Sequence, residues 1–143
     1  KSEMRIDIRV PPQFTANQVF KVFSSVIKQW QDANPKVQVK VAIMDQNEAF
    51  EVAKNSLLVK AMSSAIRKVL NKPATLLRKT GTGDMNILGI AMSMPIVTSG
   101  PGASHLDHTK DEHINIREYS QGIEVYKETI LKLSELHKKN RNH

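Results

Sequence analysis

The 143-residue chain contains no cysteine. A disulfide framework, a thiolate metal site and a cysteine nucleophile are therefore excluded, although the compartment stays open. Aromatic residues are scarce at 5%, which leaves few platforms on which nucleic-acid bases could stack. Long hydrophobic runs are missing too. The most apolar stretch, Asn86 to Val97, is interrupted by Ser93 and Pro95 and falls well short of the roughly 20 residues a spanning helix requires. No charged, apolar and small-residue succession of a secretory signal opens the chain, so a cytoplasmic protein with no membrane partner is expected. Positive charge is what the sequence has in excess. Its 21 Lys and Arg against 14 Asp and Glu give a formal charge of +7, which favours acidic partners as a class. The first residue is Lys1 and a strand-like pattern begins almost at once, as expected of a piece of a longer polypeptide.

Hydrophobic periodicity divides the chain into short elements. Met4, Ile6, Ile8 and Val10 alternate with Arg5, Asp7 and Arg9, the period of a half-buried strand, and Pro11-Pro12 ends it. Thr15 and Gln18 have the spacing of a capping box. Behind them Val19, Phe20, Phe23, Val26, Ile27 and Trp30 recur at three-and-four spacing up to Asn34-Pro35, predicting an amphipathic helix. Val37, Val39, Val41 and Ile43 then alternate as a second strand. Asp45 to Lys54 is polar and linker-like, with a lobe boundary expected near 46–54. A second helix runs from about Leu58 to the stop at Asn71-Lys72-Pro73. Thr75 to Lys79 follows as a strand, then a Gly-Thr-Gly turn, a short helix from about Asp84 to Met92, and a strand from Pro95 to Thr98. A polar loop from Gly100 to His113 precedes a last helix reaching about Lys138. Alternating strands and helices predict an α/β fold with largely parallel pairing.

Three polar clusters could carry chemistry. On the first strand, Arg5, Asp7 and Arg9 are either a solvated face with in-line charge pairs or a rigid mount from which a guanidinium grips a carboxylate through two parallel hydrogen bonds. Gly81-Thr82-Gly83-Asp84 could converge backbone N–H groups on an anion at a helix start, or could simply cap the helix. It has no nucleotide-binding fingerprint. The loop holds three His and three carboxylates between His105 and His113, a donor set suited to zinc or a similar ion, or else only surface groups. A Ser104, His108 and Asp84 triad can be drawn, but Ser104 is not in a Gly-x-Ser-x-Gly elbow.

Taken in order, Arg78-Lys79-Thr80-Gly81-Thr82-Gly83-Asp84-Met85-Asn86-Ile87-Leu88, Gly100-Pro101-Gly102 and His108-Thr109-Lys110-Asp111-Glu112 resemble the C-terminal part of the metal-dependent deacylase and exopeptidase superfamily. That superfamily includes acetylornithine deacetylase, succinyl-diaminopimelate desuccinylase and carboxypeptidase G. The likeness spans nearly the whole chain and is greatest to the archaeal and thermophile branch that releases lysine or ornithine from the amino-group carrier protein LysW. It implies an α/β catalytic domain with two divalent metal ions, zinc or cobalt, interrupted by a ferredoxin-like lid that forms a homodimer.

On that resemblance, residues 1–46 correspond to the second half of the lid and 47–143 to the C-terminal part of the catalytic domain. His108 matches the final metal ligand, Arg9 the lid arginine that holds the substrate carboxylate, and Gly81 with Thr82 the turn that contacts substrate. The motifs that provide the other metal ligands and the catalytic Glu have no counterpart here. The implied activity is metal-assisted amide hydrolysis in lysine and arginine biosynthesis, with acidic LysW as partner and no activity or tight metal binding in this chain alone. Gly83 stands where the family often has Ser, and Ala103 where it often has Asn, so hydrogen bonds from those side chains are lost. A basic nucleic-acid-binding or dimerisation module is the alternative. The nucleic-acid reading is opposed by the placement of Phe20, Phe23 and Trp30 on the apolar helix face rather than beside a basic stripe, while the dimerising module stays open.

Overall fold

A computed structural model describes residues 2–79, 81 and 83–141. Each helix in it begins and ends where local chemistry dictates. In α1 (Ala16–Ala33) the Thr15 Oγ1 accepts from the Gln18 N–H at 3.1 Å, while the Gln18 side chain accepts from the Thr15 N–H at 2.8 Å. This reciprocal capping satisfies two donors that the helix itself cannot. At the other end Asn34 donates its side-chain amide to the Trp30 carbonyl at 2.8 Å, and Pro35 prevents continuation. α2 (Leu57–Leu70) is capped by Ser56 and stops at Asn71, which sits in the left-handed region at φ 52°. α3 (Asp84–Met92) starts at Gly83 and ends at the left-handed Ser93. After a 3-10 turn at Ser104–Leu106, α4 (Ile116–Arg141) completes the chain. Among the described residues, no helix is long and apolar enough to cross a membrane.

The chain divides into two interleaved units. One consists of residues 1–51 with 79–94, the other of 52–78 with 95–143. In the second, α2 packs against α4. Ala61 and Ala65 on α2, and Val125 and Thr129 on α4, are each four residues apart and buried, so each pair faces one way on its helix. The small alanines leave room for close approach of the helices. Thr129 donates its hydroxyl to the Val125 carbonyl at 2.7 Å and so brings no unpaired group into this seam. Glu128 on α4 holds Lys68 of α2 at 2.6 Å.

The first unit has no fully buried apolar residue among those described. The apolar face of α1 is only half covered, with Trp30 48% and Val26 56% exposed. Asp45 to Lys54 is more than a linker. The Glu48 carboxylate accepts from the Ala16 N–H, at 3.1 Å to one oxygen and 3.3 Å to the other, placing negative charge at the positive end of α1. The Phe50 ring lies over Gly89 of α3.

The expected strands are not formed. Among the described residues no strand is assigned at Arg5 to Val10, Val37 to Ile43, Thr75 to Lys79 or Pro95 to Thr98. A strand exists only through the hydrogen bonds of a ladder, and a two-sided alternation specifies a face without supplying its partner. The alternating side chains accordingly lie open, with Met4 81% and Ile6 52% exposed. Among the described residues, neither the parallel sheet nor the half ferredoxin-like lid is seen.

Candidate functional site

The loop before α4 is shaped by its own polar side chains. Gly102 adopts φ 98°, a conformation open to glycine and strained for other residues. The Thr109 hydroxyl donates to the Leu106 carbonyl at 2.8 Å, and the Glu112 N–H donates to the Thr109 carbonyl at 3.2 Å. His108 lies in the left-handed region at φ 64°. Its backbone N–H donates to the Glu112 carboxylate at 3.0 Å. Such backbone geometry is uncommon outside glycine and is retained only where the surroundings enforce it. Here Glu112 enforces it through the main chain, which leaves the exposed imidazole unclaimed by that bond. His113 is engaged separately, its Nδ1 lying 2.6 Å from the Asp111 carbonyl.

The dense run of imidazoles and carboxylates does not converge. Among the described residues, no three His, Asp or Glu side chains gather around a point where an ion could sit. A zinc site uses three or four protein ligands, so the donor set present does not fit a complete two-cation centre. Nor does a hydrogen bond join Ser104 to His108, and the triad drawn from the sequence gains no support.

Arg9 and Gly81 belong to the first unit. Arg9 is engaged in line, its Nε and Nη2 lying 2.9 and 2.8 Å from one oxygen of Asp7. Both side chains are exposed, so the pair contributes little to stability, and its guanidinium can exchange partners at small cost. Gly81 is exposed, and a Cβ built there would meet nothing within 4 Å. Space alone therefore does not require glycine at 81. Thr82 lies outside the described residues.

The start of α3 is fixed by Asn86. Its side chain is buried, accepts from the Gly83 N–H at 3.3 Å and donates to the Glu48 carbonyl at 3.0 Å. Sequence analysis placed Asn86 in a motif but did not identify this anchoring role, and Glu48 was missed altogether. Replacing Asn86 by Ala removes a partner from both backbone groups. Unpaired groups of this kind cost about 1–3 kcal/mol, so Asn86→Ala is expected to destabilise the first unit by about 2 kcal/mol. Faster amide exchange at Gly83 and through α3 measures the loss.

A profile described as peptidase family M20/M25/M40 matches residues 4–132. The chain belongs to peptidase family M20/M25/M40. A Pyrococcus furiosus protein, provisionally named as a LysW-lysine/LysW-ornithine hydrolase, is 39% identical over 132 residues, covering 92% of this chain and 34% of its own length. The Saccharolobus solfataricus protein named LysW-lysine/LysW-ornithine hydrolase is 37% identical over 114 residues, covering 80% of this chain and 31% of its own. A Pyrococcus horikoshii relative reaches 46% identity over 91 residues, 64% of this chain and 28% of that protein. The chain thus spans about a third of the length of the curated relatives it matches. Membership in M20/M25/M40 agrees with an α/β class in general terms. The family commonly uses divalent metal ions.

Proposed function

We propose that this chain is the C-terminal part of a metal-dependent amide hydrolase that releases lysine or ornithine from the acidic carrier protein LysW. The observation that carries this is the match to M20/M25/M40 over residues 4–132, joined to relatives bearing the LysW-lysine/LysW-ornithine hydrolase name at 37% identity. Residues 1–46 are taken as the second half of a dimerising lid and 47–143 as the C-terminal part of the catalytic domain. His108 supplies one coordinating imidazole to a pair of zinc or cobalt ions. Arg9 orients the carboxylate of the released amino acid, exchanging Asp7 for the substrate. Gly81 and Thr82 are taken as the residues that contact substrate. The formal charge of +7 would draw an acidic carrier toward the enzyme. A single imidazole does not make a zinc site, so the chain by itself is inactive and binds zinc weakly.

A chimera tests this reading. Residues 4–132 replace the corresponding third of the Pyrococcus furiosus relative, and release of lysine or ornithine from loaded LysW is followed with zinc or cobalt present. Activity in the chimera, together with only weak zinc uptake by the isolated chain in calorimetry, is the expected outcome. A folded chimera without activity beside an active parent, or stoichiometric tight zinc binding by the isolated chain, refutes it.

A further inference from the structure

A groove of about 360 Å³ runs along α2, lined by Lys54, Val59, Lys60, Ser63, Ser64, Arg67 and Leu76. Lys60, Ser64 and Arg67 follow one another at steps of four and three, which sets them on one helix face. Among the described residues no carboxylate pairs with Lys54, Lys60 or Arg67, and neither serine hydroxyl has a hydrogen-bond partner. The contrast with Lys68 on the same helix is informative. Lys68 is neutralised by Glu128 at 2.6 Å, so charge is balanced where α2 meets α4 and left unbalanced around the groove. Three like charges without a counter-charge repel one another, and a bound anion removes that repulsion.

We propose that this groove binds a small organic polyanion. Arg67 offers a planar fork to its phosphate or carboxylate oxygens, Lys54 and Lys60 add point charges, and the two hydroxyls donate to the remaining oxygens. Leu76, 53% exposed, provides a wall for the carbon portion. Its volume lies at the small end of the range for ligand sites, and the groove is open to solvent. The groove has no aromatic lining, which argues against a nucleic-acid strand held by stacking.

Pyrophosphate and citrate are the probes, titrated into the 143-residue chain by calorimetry at low and physiological salt, with thermal unfolding followed alongside. Saturable one-to-one binding of either is expected, with a raised unfolding midpoint and weaker affinity at higher salt. Preference for pyrophosphate assigns a phosphorylated ligand, and preference for citrate a polycarboxylate. The double variant Lys60→Ala, Arg67→Ala is expected to weaken binding at least about tenfold. The variant Lys138→Ala, Lys139→Ala, which removes equal charge from the end of α4, leaves it unchanged. Non-saturable binding, equal losses in the two double variants, or binding only of an acidic peptide such as poly-glutamate overturns the proposal.

Discussion

Replacing His108 by Ala in the chimera with the Pyrococcus furiosus relative is expected to lower the rate of amino-acid release by at least about 100-fold. Removing a group that only supports a metal ligand already costs about 10–100-fold, and loss of the ligand itself reaches or exceeds that range. Backbone conformation gives the experiment a second readout. His108 sits at φ 64° with its N–H tied to Glu112, and a non-glycine residue there carries a cost of about 1–2 kcal/mol. His108→Gly is therefore expected to raise thermal stability while abolishing activity, whereas His108→Ala leaves stability nearly unchanged. Opposite movement of stability and activity is the mark of a side chain kept for chemistry rather than packing. Activity within a few-fold of the unsubstituted chimera in both variants would exclude His108 from the metal centre.

Gly89→Val is expected to destabilise the first unit by about 3 kcal/mol. A Cβ built at Gly89 would stand 2.4 Å from the Phe50 ring, with two further ring atoms at 2.5 and 2.6 Å. No carbon pair tolerates that separation, so the ring or α3 must move, and overpacking of this kind costs about 1–3 kcal/mol. Valine's branched carbons put the substitution at the upper end. Gly89→Ala gains about 1 kcal/mol of helix propensity in return and should lose only about 1 kcal/mol overall. Amide exchange through α3 resolves the two variants. Adding Phe50→Ala relieves the clash, so the valine's further effect in that background should fall below about 1 kcal/mol. A valine effect undiminished by loss of the ring would place its cause elsewhere.

The helices were legible because their signals are local. Thr15 and Gln18 stand three residues apart and meet each other, and Asn71 ends α2 beside Pro73. The span from Asp84 to Met92 agrees with α3. Strands were not legible in the same sense. Met4, Ile6 and Ile8 mark a face, but a ladder needs a second chain segment at a fixed register, and alternation says nothing about where that segment lies. Glu48 was hidden for a related reason. Its carboxylate acts on a helix start 32 residues earlier and its carbonyl on a side chain 38 residues later, distances over which residue type carries no signal. At the site, the His-rich loop was visible as composition. Neither the left-handed turn at His108 nor the failure of the neighbouring donors to converge follows from composition, because both depend on how the main chain is bent.

The interleaving of the two units constrains how the polypeptide can be made. When a ribosome has added residue 78, the segments of α1 and α2 have been made, but Asn86 has not arrived to receive Glu48 and α4 has not arrived to cover Ala61 and Ala65. Residues 79–94 complete one unit while the other still waits for α4. Synthesis therefore cannot finish the units one after the other along the chain, as tandem domains allow. A premature stop codon anywhere before α4 leaves the second unit without its main packing partner.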